Sequence, residues 1–362
     1  MRSRLFCYGL LYFVTYFCLG SGMTRLIPAL QDLGYTPASS VVPLTILGLI
    51  SFLIQFSCSI YFLSHSRFRW LSAVLLTGYW TVLSFSGFRS VVLLILSLSL
   101  VRPVQGVLDV GVHRAAGEVY SRIHCFGALG WAMGSLCSGW ISHSQFPGLS
   151  SLYLAGTGIL SLILLKRVTE PVQSPQSGSV DIHDLKLDPG IFKLILAATI
   201  LYFTGSTDMV LMSNKMLQLQ EGSRWLAVKL AIQSAAEIPL YLTLDTVMKK
   251  VSSRFLYRFS ALMFALRFLL YSVSEDPLIL CLVSSLQMVT LPLAVLSHRK
   301  RISELCCKER QASVLMLSMS IYTGISQLMM PVTLQWLQQF LSVDQTLAFL
   351  GLFSLSALFL IG

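Results

Sequence analysis

Charged residues are scarce in this chain of 362 residues: only 12% are Asp, Glu, Lys or Arg, whereas 55% are hydrophobic. A water-soluble protein carries about 25% charged residues, so too little polar surface is available to cover a soluble body of this length. The composition also excludes disordered, collagen-like and nucleic-acid-binding proteins, although the net charge is +10. The sequence predicts a protein embedded in the lipid bilayer, with no nucleic acid as partner.

Motifs for catalysis and metal binding are missing as well. The sequence has no His-Glu-x-x-His, no P-loop and no paired aspartate cluster. Most of the eight cysteines lie within apolar runs, and the adjacent Cys306 and Cys307 have no second cysteine pair that would complete a zinc site. We therefore expect no enzyme activity, no metal site and no disulfide framework.

Long apolar runs are what the chain has in abundance. A membrane-spanning helix needs about 20 predominantly apolar residues. The sequence predicts an all-α membrane protein with twelve spans, at residues 5–23, 40–63, 70–87, 91–112, 123–141, 152–165, 190–212, 225–246, 255–273, 277–297, 312–336 and 343–362.

A polar stretch rich in proline and serine interrupts these runs after the sixth. Such a stretch has nothing to bury and is typical of a linker. It divides the chain into an N-terminal half (1–167), a linker (168–188) and a C-terminal half (189–362), each half with six predicted spans.

The basic residues predict the orientation. If both termini lie inside, nineteen of the 26 Lys and Arg residues fall on the cytoplasmic side and four fall outside. Cytoplasmic loops of membrane proteins carry such an excess of positive charge. We expect a multi-pass protein of the bacterial cytoplasmic membrane with cytoplasmic termini and linker.

Three segments carry a family likeness. One is YSRIHCFGALGWAMG, from Tyr120 to Gly134; the others are Glu237-Ile-Pro, followed by two lysines, and Arg267-Phe268. They resemble the fifth, eighth and ninth helices in one branch of the major facilitator superfamily, which includes lactose permease and the nucleoside–proton and phenylpropionate permeases. In that pattern His124 stands where the branch has a second arginine.

The resemblance implies a major facilitator fold, with substrate held between the two six-helix halves during alternating access. It implies secondary transport of a small polar or amphipathic solute (a sugar, nucleoside or aromatic acid) by proton symport. No cofactor is needed beyond the proton gradient, and we expect a working monomer. The alternatives are an exporter of amphipathic compounds and a transport-dead facilitator fold acting as sensor or scaffold.

Two departures from the family pattern keep the last alternative open. The loop at residues 63–69 keeps basic residues but lacks the acid and the glycines usual between the second and third helices. The tenth span contains no acid, and Gln287 stands near the position of the family's histidine.

The substrate-binding candidates lie in the N-terminal half. Arg102 falls near the middle of the fourth span, where a charge is costly and usually functional. The resemblance places Asp109 and His124 on a carboxylate–arginine pair that binds sugar hydroxyls, although both could instead be interfacial residues. Trp131 lies two turns after His124 and could stack on a substrate, or simply pack.

The coupling candidates lie in the C-terminal half. Glu237 and Arg267 fall at mid-membrane depth in the eighth and ninth spans, with Gln287 in the tenth. We expect Glu237 to carry the proton and Arg267 to displace it; the alternative is a purely structural Glu237–Arg267 pair. Asp208 is expected to form a surface pair with Lys215; the alternative is a gate contact.

Glycines recur in the fifth span at a spacing that favours helix packing. Gly127, Gly130 and Gly134 lie three or four residues apart, and small residues at such intervals permit close approach of helices. We expect these glycines to pack rather than to bind substrate.

Overall fold

The computed structural model describes residues 2–61, 68–86, 90–116, 120–141, 149–168 and 188–361, and these contain helices and no β-strand. The helices of the N-terminal half are α1 (Arg2–Thr24), α2 (Leu26–Asp32), α3 (Val41–Tyr61), α4 (Phe68–Ser86), α5 (Val91–Ser99), α6 (Val101–Ala116), α7 (Tyr120–Ile141) and α8 (Leu149–Arg167).

The helices of the C-terminal half are α9 (Pro189–Leu217), α10 (Gly222–Ala235), α11 (Glu237–Lys250), α12 (Ser253–Val273), α13 (Pro277–Ser284), α14 (Leu291–Leu305), α15 (Lys308–Gln338) and α16 (Val343–Ser354). Short 3₁₀ segments follow α13 and α16, at Ser285–Val289 and Leu355–Phe359.

The all-α fold class is confirmed. Helical structure is found in the described part of each predicted apolar run, and six helical stretches there are long and apolar enough to cross a membrane. The number of twelve crossings and the division into halves remain predictions. The predicted linker lies outside the described residues, apart from its first and last, and so does most of the loop at 63–69.

Prolines explain why several spans are built from two helices. A proline has no N–H to donate to the carbonyl four residues earlier, and its ring clashes with that carbonyl. The helices α1, α5 and α10 end four residues before Pro28, Pro103 and Pro239, respectively. Breaks between helices, which we call joints, therefore lie beside Arg102 and immediately before Glu237.

Close packing joins α1 to α7. A Cβ added at Gly130 or Gly134 would overlap the carbonyl oxygen of Phe13 or Phe17, and one added at Gly127 would lie 3.1 Å from the Tyr12 ring. We call this contact the glycine seam; it comprises Gly127, Gly130, Gly134 and the α1 residues they face. It fixes α1 and α7 side by side in the N-terminal half.

The two halves meet along two pairs of helices. On one side α3 packs against α15, and Gly48 of α3 faces the backbone of Gln327. The carbonyl group of Gln327 receives no hydrogen bond within its helix, because the residue four positions later is Pro331, which has no N–H. On the other side α7 packs against α10 and α11. A cavity lies between these two contacts.

Candidate functional site

The cavity has a volume of about 310 Å³ and is lined by residues from both halves of the chain. It lies within the size range of small-molecule sites, which is roughly 300–1,000 Å³. The structure brings six of the seven predicted binding and coupling residues to its wall: Arg102, Asp109, His124, Trp131, Glu237 and Gln287. The seventh, Arg267, lies behind the wall and contacts Gln287.

Arg102 reaches from α6 towards the C-terminal half. Its Nη1 donates to Oε1 of Gln105, one helical turn away, at 3.0 Å. Its guanidinium carbon lies 5.7 Å from the centre of the Tyr202 ring on α9, and its Nε is buried without a hydrogen-bond partner. The half-buried guanidinium of Arg102 therefore contacts an aromatic ring of the other half of the chain.

Asp109 is held by tyrosines of α1. The hydroxyl groups of Tyr12 and Tyr16 donate to the same carboxylate oxygen, Oδ1, at 2.7 and 3.0 Å. The two rings stack with their centres 5.3 Å apart. The glycine seam holds α1 against α7, and from this position Tyr16 lines the cavity.

His124 lies inside a cluster of four tyrosine rings. Tyr120 stacks on the imidazole at 5.6 Å between ring centres, and Tyr12, Tyr16 and Tyr241 approach edge-on at 5.8, 5.9 and 4.5 Å. Tyr241 belongs to α11, so this cluster joins the halves. Nδ1 of His124 is buried without a hydrogen-bond partner.

Trp131 lies further along α7 and contacts one of these tyrosines, Tyr16. Its ring centre is 6.4 Å from that of Tyr16, and it lines the cavity. The indole is only partly buried. Ring contacts in the N-terminal half therefore run from Tyr120 through His124 and Tyr16 to Trp131.

A buried charge network lies in the C-terminal half. Oδ2 of Asp208 is 2.6 Å from Nζ of Lys229 and 2.9 Å from Nη2 of Arg267, and both cations are fully buried. The expected surface pair of Asp208 with Lys215 is wrong. Lys215 instead pairs with Asp344 at 2.5 Å.

Arg267 is almost completely surrounded by acceptors. Besides Asp208, its guanidinium donates to the hydroxyl groups of Tyr271, at 3.1 and 3.2 Å, and Thr290, at 3.3 Å, and to Oε1 of Gln287. The ion pair that it makes in the described part of the chain is with Asp208, not with Glu237.

Glu237 lies at the first residue of α11, directly after the joint. Its Oε2 accepts from the Tyr241 hydroxyl at 3.5 Å, and Gln287 and Arg267 also interact with the carboxyl group. Arg267 makes its ion pair with Asp208. Glu237 therefore interacts with the charge of Arg267 at longer range, without a direct salt bridge.

Comparison with known proteins identifies the family. Residues 6–329 match the model of the MFS_1 like family. The chain belongs to this family of the major facilitator superfamily. It is a multi-pass integral membrane protein of a transporter family, not of an enzyme family. No curated protein sequence matches the chain.

Solved structures share the fold along nearly the whole chain. A point mutant of the nucleoside transporter NupG superposes with a TM-score of 0.77 at 15% identity, and unmutated NupG with 0.72 at 16%. The human organic anion transporter MFSD10 (TETRAN) gives 0.70 at 12%. Each comparison covers 99% of this chain and 98% of the other. At such identities the likeness establishes the fold alone.

Two charged residues of the cavity wall in this MFS_1-like protein, Arg299 and Asp208, were not predicted to line a site. Arg299 was counted as a loop cation because the tenth span was ended at residue 297, whereas α14 continues to Leu305. Its Nη1 donates to the Tyr120 hydroxyl at 3.5 Å, and its charge interacts with Asp109. Asp208 could have been predicted to be buried, because Lys229 and Arg267 lie within predicted spans and cations inside a membrane protein require a partner.

The chemistry of the wall is that of a binding site. Among the described residues no group of three or more His, Cys, Asp or Glu side chains could hold a metal ion. Hydrogen-bonding groups, aromatic faces and charges of both signs line the cavity instead. Whether each predicted residue binds substrate or couples protons stays a prediction at this point.

Proposed function

We propose that the protein is a secondary active transporter that moves a small polar or amphipathic organic solute by alternating access, in symport with protons. The N-terminal half supplies the substrate site, with Arg102, Asp109, His124 and Trp131. The C-terminal half supplies the coupling site, with Glu237, Gln287 and Arg267. Both termini face the cytoplasm in this proposal.

The observation that carries the proposal is the position of the cavity. Its wall unites the candidates of the two halves, which are far apart along the chain. A solute bound there touches both halves and can therefore stabilise a state in which they have closed on it. The fold neighbours, a nucleoside transporter and an organic anion transporter, support a small organic solute as cargo.

Glu237 fits the coupling role because of its contacts. It lies on the cavity wall, where solvent protons can reach it, and Tyr241 and Gln287 are neutral partners that can hydrogen-bond either protonation state. The nearby Arg267 favours release of the proton through its charge. Its network with Asp208 keeps that cation in place.

The test uses the purified protein in liposomes with an imposed pH gradient and a panel of labelled sugars, nucleosides and aromatic acids. We expect accumulation of at least one class, accompanied by proton uptake. Glu237→Gln keeps the volume but cannot release a proton, so it should abolish accumulation and preserve exchange of labelled for unlabelled solute. Glu221→Gln, the same change at an exposed residue, is the matched control.

Three outcomes would contradict the proposal. Accumulation with proton uptake in Glu237→Gln would remove Glu237 from the coupling role. Accumulation of solute in the absence of proton movement would exclude proton symport. Binding of a solute without exchange, in wild-type protein, would indicate a sensor or scaffold.

A further inference from the structure

The charges around the cavity do not balance. The wall itself carries the cations Arg102 and Arg299 and the acids Asp109, Asp208 and Glu237, and directly behind it lie Lys229 and Arg267. Four cations therefore face three acids when all are ionised. A charge held away from bulk water is costly unless it is paired, so each partner can be assigned in turn.

Two of the four cations form ion pairs with a carboxylate, and a third interacts with one through its charge alone. Lys229 and Arg267 share Asp208, and the surplus positive charge of that trio faces Glu237. Arg299 interacts with Asp109, with the Tyr120 ring under its guanidinium at 5.7 Å.

Arg102 is the cation of the cavity that has no carboxylate partner among the described residues. Among the described residues its contacts are neutral: the amide oxygen of Gln105 and the face of Tyr202. Its Nε hydrogen has no acceptor, although it is buried. A planar guanidinium with an unused donor can take a carboxylate through two parallel hydrogen bonds.

The surroundings of Arg102 are aromatic and apolar. Tyr202 lies 5.2 Å from Tyr322, measured between ring centres, and both line the cavity. Met319 and Leu291 pack against these two rings, and Leu47 and Met209 are further hydrophobic residues of the cavity wall. Such a wall accommodates the carbon skeleton of a solute whose charged end lies on the guanidinium.

We propose that Arg102 binds the carboxylate of the transported solute, which is an amphipathic organic monoanion. The inference rests on the proposed transport function and names its substrate class. It also gives proton symport an electrostatic reason: a proton carried on Glu237 together with an organic anion on Arg102 crosses the membrane with no net charge from the cargo.

The test measures thermal stabilisation of the purified protein by matched pairs of ligands. Each pair is an aliphatic or aromatic monocarboxylate of four to ten carbons and its neutral amide, for example 4-phenylbutyrate and 4-phenylbutanamide. We expect carboxylates to bind more tightly than their amides. Arg102→Gln should weaken carboxylate binding about ten- to 150-fold, the range for a lost hydrogen bond to a charged group, and leave amide binding unchanged.

Two further variants separate a binding role from a structural one. Arg102→Lys keeps the charge and should retain part of the preference for carboxylates, whereas Arg224→Gln removes an exposed arginine and should retain all of it. Equal binding of acid and amide by the wild type, or stabilisation by none of the carboxylates, would overturn the assignment.

The same proteins in liposomes distinguish this inference from the proposed function. Uptake of a neutral solute that Arg102→Gln leaves unchanged would overturn the anion site and leave transport intact. Carboxylate binding that depends on Arg102, without uptake or exchange of any bound carboxylate, would overturn transport and leave the anion site intact.

Discussion

The N-terminal and C-terminal halves of the molecule differ in what packs their helices together. The N-terminal half relies on backbone contact, in which Gly130 and Gly134 admit the carbonyl groups of α1. The C-terminal half instead buries Asp208 with Lys229 and Arg267. A half that packs by close backbone approach depends less on buried charge for its stability, and its charges Arg102 and Asp109 belong to the proposed substrate site. The comparison distinguishes the buried ion pairs of Asp208 from the charges that the proposal assigns to the substrate.

The largest effect should come from removing the shared acid of the C-terminal network. Asp208→Asn leaves Lys229 and Arg267 buried without their carboxylate, and breaking such a network costs about 3–5 kcal/mol. We expect a much lower melting temperature in detergent. The same change in the other half, Asp109→Asn, keeps an oxygen that accepts from Tyr12, and Arg299 keeps its hydrogen bond and ring contact with Tyr120. It should cost about 1 kcal/mol. Equal losses in the two variants would contradict the comparison.

An intermediate effect is expected at the glycine seam. Gly134→Ala places a methyl group against the Phe17 carbonyl, so α1 and α7 must move apart. Overpacking of this kind costs about 1–3 kcal/mol. Gly156 on α8 is the matched control, because a Cβ there meets nothing within 4 Å. Its change to alanine should be neutral or stabilising by up to about 1 kcal/mol; equal melting temperatures for the two variants would refute the seam.

The smallest effect should come from the pair that lies nearer the surface. The side chain of Asp344 is 44% exposed, and Lys215 keeps a hydrogen bond to the Tyr271 carbonyl at 2.9 Å when its partner is neutralised. Exposed ion pairs contribute about 0–1 kcal/mol, so Asp344→Asn should lower the melting temperature only slightly. A loss as large as that of Asp208→Asn would show that ion pairing, rather than burial, stabilises the C-terminal half.

The fold could be predicted because its signals are local. Apolar runs specify the helices, and the prolines at 28, 103 and 239 specify where they end. Much of the cavity wall could be predicted as well, since a charge at mid-span, such as Arg102 or Glu237, has few places to go except an interior space.

Partner identity could not be predicted, because it depends on how the helices cross. Nothing in the spacing along α9 shows that Asp208 faces α10 and α12 rather than Lys215 on its own helix. The tyrosines around His124 come from three helices, and the distance between those helices is set by glycines and by packing between the halves. Such contacts exist only once the tertiary structure has formed.

The glycine seam also has a mechanical consequence. Helices that touch backbone to backbone at two successive turns move as one rigid unit, so in the proposed alternating-access cycle Tyr12 and Tyr16 keep their places beside His124. Tyr120, on the same helix as the imidazole, moves with it as well. Among the described rings around His124, that of Tyr241 comes from the opposite half, and in the proposed cycle it departs when that side of the cavity opens. The presence or absence of the Tyr241 ring beside His124 then reports which way the cavity faces.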